Sequence, residues 1–213
     1  MITHKLRSPL RIKASDIGAD GSFAGYGSVF NVIDSGGDMM APGSFAASLQ
    51  RHAQAGTRPK MLWQHDHCQP IGSWLEMRED DHGLWCKGQL LLDVQQAREA
   101  YTLMKAGELD GLSIGYEVDD YVNVRADEIG AKYGCHPTGG YAPAGQVRVL
   151  RAVGLWEVSP VTFPMCDPAR IETVKTTGNG QQATGNRSTA RGPDLTPILA
   201  ALERRGLVPR VPA

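Results

Sequence analysis

A mainly β domain with a few short helices, an α+β arrangement, is the fold class this sequence predicts, and three observations carry the prediction. Small or polar residues alternate with bulky apolar ones in run after run, the period-two signature of strands. Two of these runs, Gly72 to Met77 and Leu84 to Leu92, flank the charged segment Arg78 to Gly83 and read as an antiparallel hairpin. Helical periodicity is confined to short segments, so strands outnumber helices.

The elements follow in order. FAGYGSVF, ending at Phe30, reads as a strand whose glycines permit curvature, a barrel-like trait. Asn31 to Gly43 is turn-rich, and Ser44 to Gln50 reads as a short helix capped by Ser44 with Phe45 and Leu49 on one face. Met61 to His65 reads as a strand with Met61, Trp63 and His65 on a buried face. After the hairpin, Asp93 is placed to cap the clearest helix, with Gln96 completing a capping box, Ala97, Ala100, Tyr101 and Met104 as its apolar stripe, and Gly107 as its end. Leu112 to Val118 returns to strand, and Val147 to Val158 is a long apolar run broken by Arg148, Arg151 and Glu157. The Gly-, Pro- and Tyr-rich stretch Asp119 to Gln146 reads as a long, partly disordered functional loop. Residues 1–175 therefore read as one domain, 176–193 as a flexible linker without large apolar residues, and 194–213 as a tail with a short helix around Leu199. The four tryptophans, Trp63, Trp74, Trp85 and Trp156, read as core and pocket walls.

Composition narrows the function classes. A length of 213 residues buries a core without staples. The formal charge of -1 lacks the clustered Lys and Arg excess that phosphate binding requires, so nucleic acid is not an expected partner. No run approaches the roughly 20 apolar residues of a membrane span, and the start has no signal-peptide core, which predicts a soluble intracellular chain. Cys68, Cys86, Cys135 and Cys166 show no CxxC pairing and read as free thiols.

Three residues carry the chemistry. Ser113 is a single hydroxyl in the apolar strand GLSIGY, and on residue type alone it reads equally as a nucleophile or as a core serine bonded to backbone. His65 lies in a cluster with Asp66, His67 and Cys68. Glu157, between Trp156 and Val158, is a carboxylate facing desolvation and in need of a partner; a histidine on a neighbouring strand serves, and so does an ion pair with Arg148 or Arg151. A serine, a base within about 3 Å and a group that orients the base are the parts of a serine hydrolase. Two further readings stay open. His65, His67 and Cys68, with His82, Cys86 or His136, are zinc-type ligands without diagnostic spacing, and Cys68 beside His67 is a candidate thiol nucleophile.

Five blocks occur in order: FAGYGSVFNVIDSGGDMMAPGSF, MLWQHDHCQPIGSW, GLWCKGQLLLD followed by the helix, LDGLSIGYEV, and LWEVSPVTFPMCDPARI. Over residues 7–175 they resemble the prohead, or capsid maturation, proteases of tailed bacteriophages, serine peptidases that share the herpesvirus assemblin fold. The resemblance implies an assemblin-like antiparallel β-barrel core flanked by short helices. It implies Ser113 as nucleophile, His65 as general base and Glu157 as the orienting third member. Assemblins use a second histidine there; no histidine follows His136, so the acidic version is preferred, with Asp66 and His67 in reserve. The oxyanion donors are not assigned; Pro160 to Pro164 and the glycines near Ser113 are candidates. Implied substrates are scaffold segments, the N-terminal region of the major capsid protein and the enzyme itself, cut inside the immature prohead in the host cytoplasm. No cofactor or metal is implied, and a homodimer like that of assemblins is a partner to test. Within the same resemblance, the structural alternative is a non-catalytic scaffold or shell-assembly protein docking through the tail helix near Leu199.

Overall fold

The computed structural model describes residues 17–134, 136–137 and 145–172. Thirteen elements follow one another: β1 (Ser22–Val29), β2 (Val32–Ile33), β3 (Asp38–Met40), α1 (Ala46–Ala55), β4 (Met61–Trp63), β5 (Asp66–Glu79), β6 (Gly83–Leu90), α2 (Gln95–Ala106), β7 (Gly111–Arg125), α3 (Ile129–Tyr133), β8 (His136–Pro137), β9 (Gln146–Val161) and β10 (Ile171–Glu172). The expected hairpin is β5–β6, paired antiparallel from Gly72↔Leu90 to Glu79↔Leu84.

The mainly β class holds, but among the described residues the strands form two five-stranded sheets and not a closed barrel. One sheet has the order β10-β1-β6-β5-β4 and the other β7-β9-β3-β2-β8. Nor is every pairing antiparallel: β3 runs parallel to β9, and β2 parallel to β8. The sheets meet at two isolated bridges, Lys60↔Glu157 and Gly111↔Arg170. The first of these sets the β4 end of one sheet against β9 of the other.

Between the sheets lies the main core, which includes Phe23, Phe45, Ile71, Trp74, Leu84, Leu112, Leu155 and Val158. Trp74 is fully buried, meets Phe23 edge-on at 5.6 Å between ring centroids, and donates its indole N–H to the Lys60 carbonyl at 3.3 Å. That carbonyl also accepts the Val158 N–H at 2.9 Å, so the same peptide ties core to β9. A second cluster of Ile33, Met39, Val124, Ile129, Val147 and Val149 packs the far ends of β7 and β9.

Several local expectations are corrected. Ser44 does not cap α1; Phe45 is the N-cap residue, and the buried Ser44 gives its carbonyl to the Val153 N–H at 3.0 Å. Asp93 does not cap α2, which begins after Val94; the Asp93 carbonyl instead accepts from Arg98 at 3.0 Å. The buried stripe Ala97, Ala100, Met104 and the left-handed Gly107 end are as expected. Asp119 to Gln146 is less of a loop than its composition suggests, because β7 continues to Arg125 beside β9 and α3 follows. Its polar side chains reflect a largely solvent-exposed ribbon, where strands need not alternate with apolar residues. The turn-rich Asn31 to Gly43 contains β2 and β3. Cys68, Cys86 and Cys166 are free thiols, while Cys135, the linker and the tail helix lie outside the described residues.

Replacing Trp74 with Ala empties the centre of this core, and we expect a loss of about 3–5 kcal/mol in unfolding free energy. Denaturant titration measures it; a loss below about 1 kcal/mol would mean the ring is not the packing centre described here.

Candidate active site

Along β7, Leu112 and Ile114 pack into the main core, so Ser113 and Gly115 project to the opposite face. On the paired strand β9, Ser159 stands directly opposite Ser113, and Glu157 directly opposite Gly115. Residues paired in this way share a face. One small patch therefore gathers Ser113, Ser159 and Glu157.

Glu157 reaches that patch because β9 is bulged. It pairs with Gly115 while Leu155 pairs with Tyr116, which leaves Trp156 as the extra residue. In a regular strand, Leu155 and Glu157 would point the same way. The bulge sends Leu155 into the core at 1% exposure and turns Trp156 out at 56%, against the expectation of a buried tryptophan. Helix α1 satisfies the backbone that the bulge frees: the Leu155 N–H donates to Ser48 Oγ at 2.9 Å, and His52 Nε2–H donates to the Leu155 carbonyl at 3.0 Å.

His65 arrives from the other sheet. It is not the last residue of a strand, as the alternation predicts, but the second residue of a two-residue hairpin turn between β4 and β5, closed by Trp63↔Asp66. Gln64 and His65 have φ of 51° and 64°, the left-handed region that such a turn demands. Neither is glycine, so the conformation costs of the order of 1–3 kcal/mol per residue and must be held by its surroundings. Gln64 supplies the hold: its N–H donates to the Pro160 carbonyl at 3.3 Å, its Nε2 donates to Thr162 Oγ1 at 2.8 Å, and its Oε1 accepts the Thr162 N–H at 3.3 Å. The turn is thus pinned across the end of β9.

From there His65 Nδ1–H donates to Glu157 Oε1 at 2.5 Å, and Ser159 Oγ–H donates to Glu157 Oε2. Glu157 is 4% exposed and Ser159 wholly buried, whereas the His65 side chain is 40% exposed. A carboxylate so deeply buried requires partners on both oxygens, and it has them. With the Nδ1 proton committed, Nε2 is the acceptor nitrogen of the ring. Gly115 makes the arrangement possible, because a Cβ there would collide with Glu157 Oε1 and lie 3.0 Å from its Cγ and Cδ.

Ser113 is 6% exposed and borders a narrow cleft that Ile114 and Tyr116, which alternate with it along β7, line together with Gly27, Ser28, Met165 and Cys166. Among the described residues its hydroxyl makes no hydrogen bond to the His65 ring. The structure therefore joins two of the three sequence candidates directly and sets the third on the same face of the adjoining strand. The arginine alternative for Glu157 does not occur: Arg148 forms a fork to Asp38 at 2.8 and 2.5 Å, with the Tyr116 hydroxyl on the same carboxylate at 3.0 Å, and Arg151 pairs with Asp120 at 2.9 Å. Burial and Asp38 together push the Tyr116 phenol upward, so it stays a donor. Asp66 folds back on its own strand, accepting from the Cys68 N–H at 2.9 Å and from Gln69 Nε2 at 2.7 Å, while His67 and Cys68 are exposed. No group of three or more metal-ligating side chains clusters among the described residues. Ser159 and Gly115 are absent from the sequence candidates. The available signal was their period-two spacing from Glu157 and Ser113, which becomes readable only once the bulge and the β7–β9 register are known.

A family model described as caudovirus prohead serine protease matches residues 8–183. The chain belongs to that family. It is 32% identical over 168 residues to the prohead protease of Enterobacteria phage HK97, an alignment covering 77% of this chain and 64% of the relative, so it spans less than two thirds of that relative's length. Among solved structures it is similar to a KSHV protease crystallised with a hexapeptide phosphonate inhibitor, at 12% identity and a TM-score of 0.41 over 70% of this chain and 63% of that one.

The contact between Gly115 and Glu157 is testable through a double-mutant cycle. Gly115→Ala is expected to destabilise the chain by about 1–3 kcal/mol through overpacking. In a Glu157→Ala background, where the carboxylate no longer fills the space, the same change should cost less than half as much. Equal costs in both backgrounds, by thermal or denaturant unfolding, would contradict the placement of Glu157 over Gly115.

Proposed function

We propose that this chain is a serine endopeptidase of phage capsid maturation, with Ser113 as nucleophile, His65 as general base and Glu157 as the group that orients it. The hydrogen bond from His65 Nδ1 to Glu157 Oε1, on the face that also carries Ser113, is the observation that supports this reading best. Family membership supports the reaction class.

The chemistry follows from the tautomer. Glu157 holds the proton on Nδ1, so the Nε2 lone pair takes the Ser113 proton as Oγ attacks the peptide carbonyl. The imidazolium formed is stabilised by the adjacent carboxylate. His65 then gives the proton to the leaving amine, and a water activated by the same nitrogen hydrolyses the acyl-enzyme, returning Ser113 to its hydroxyl form. Ser113 and His65 come into hydrogen-bond contact when substrate is bound, as catalytic hydrogen bonds that are open in a free enzyme tighten in the complex. The oxyanion is met by backbone N–H groups.

The substrates we assign are scaffold segments and the N-terminal region of the major capsid protein, within the prohead in the host cytoplasm. The chain is also its own substrate, with a protease domain of residues 1–175, a linker of 176–193 that is cut, and a tail of 194–213. A homodimer is the proposed quaternary state. The reading requires no cofactor, metal, nucleic acid or membrane; among the described residues no helix is long and apolar enough to cross one.

Mass spectrometry of the chain co-expressed with its capsid subunit tests the proposal. The unaltered chain should yield trimmed capsid subunit and its own fragments ending after Val174, whereas Ser113→Ala should lower cleavage by about 10,000-fold or more with an unchanged unfolding midpoint. Cleavage that persists in folded Ser113→Ala would refute the assignment.

A further inference from the structure

The site contains a group that the proposed triad leaves unused. Ser159 is wholly buried, stands directly opposite Ser113 across the β7–β9 ladder, and donates its hydroxyl hydrogen to Glu157 Oε2. His65 occupies the other oxygen of the same carboxylate. Gly115 closes the remaining side, since nothing larger fits beside Oε1. Among the described residues, Glu157 thus receives one donor on each oxygen, one from each neighbour in a line that runs from His65 through Glu157 to Ser159.

We infer that Ser159 is a positioning residue for the reaction proposed above, fixing the Glu157 carboxylate so that Oε1 stays aimed at His65 Nδ1. The physical reason lies in the freedom of a glutamate. Its terminal torsion is broad and roughly two-fold, so a single hydrogen bond leaves the carboxylate able to rotate about that bond. A second donor on Oε2 removes the rotation. Ser159 is suited to the task because its own backbone is locked in the ladder, and because a hydroxyl donating to an ionised group forms a stronger bond than one between neutral partners. Burial supports a role beyond solvation: a serine with no accessible surface has no water to turn toward, and its orientation is set by the carboxylate. Ser159 touches no reacting atom in this arrangement. It acts on Ser113 only through Glu157 and His65.

The inference rests on the serine-hydrolase reading, and the experiment separates the two. The full chain is treated with a fluorophosphonate, which reacts with an activated serine, and mass spectrometry follows the adduct on Ser113 over a range of reagent concentrations. This gives a maximal labelling rate and a half-saturating concentration. Ser159→Ala is expected to lower the maximal rate roughly tenfold to a hundredfold, the effect of losing a hydrogen bond to a charged group, with the half-saturating concentration unchanged. In a Glu157→Ala background the same change should have no further effect, because the carboxylate it positions is gone. Ser159→Cys, which keeps the volume but donates weakly, should slow labelling in the same direction and covers the case in which Ser159→Ala fails to fold. Labelling of folded Ser159→Ala or Ser159→Cys at the unaltered rate would overturn the role of Ser159 while leaving the triad standing. An equal slowing in the presence and absence of Glu157, or a raised half-saturating concentration, would mark Ser159 as a packing residue only. No adduct on Ser113 in the unaltered chain would overturn the hydrolase reading and this inference with it.

Discussion

The hydrogen bond between His65 and Glu157 is the constraint on which the rest of this arrangement depends. It joins residues 92 positions apart in sequence and on different sheets. A carboxylate at 4% exposure is sustained only by donors that reach it, and among the described residues the imidazole is one of two that do. Removing the imidazole would leave a buried carboxylate oxygen without that donor, so the bond ties the β4–β5 turn to β9 as well as setting the tautomer of the ring.

Three departures from regular structure make that bond possible. The bulge at Trp156 turns Glu157 away from the core while keeping Leu155 in it. The left-handed pair Gln64 and His65 turns the chain in two residues, so that the imidazole lies over β9 instead of along β4. Glycine at 115 leaves the carboxylate its room. The first two are locally unfavourable or strand backbone groups, and both are compensated nearby, by Ser48 and His52 on α1 for the bulge and by the Gln64 contacts to Pro160 and Thr162 for the turn. Local strain balanced by surrounding contacts is where a site's preorganisation is stored.

Much of this was legible from residues alone. The residue pattern exposes the β5–β6 hairpin, the strand at Leu112 to Val118 and the apolar run Val147 to Val158 that β9 contains, because strands that bury a face carry apolar residues there. Glu157 stood out as a carboxylate in an apolar run. The failures have identifiable causes. Alternation extended β4 through His65, since a left-handed turn built from Gln and His lacks the glycine or asparagine that announces one. Ser44 and Asp93 matched a capping pattern, yet tertiary contacts engaged Ser44 under β9 and gave the Asp93 carbonyl to Arg98. Trp156 reads as buried because it is a large aromatic in a strand-like run, and the bulge that turns it outward leaves no mark in composition. Barrel closure also depends on edge pairings between distant strands, which periodicity does not encode; here the two sheets meet at isolated bridges.

The most direct test of the central claim observes the proton on His65 itself. In a chain carrying 15N-labelled histidine, the account predicts a low-field resonance for the proton on His65 Nδ1, shielded from exchange by the buried carboxylate. Substituting Glu157 with Ala should abolish that resonance while the fold persists. A low-field proton unchanged by the substitution, or an Nδ1 that carries no proton in the unaltered chain, would contradict the arrangement of His65 and Glu157 described here.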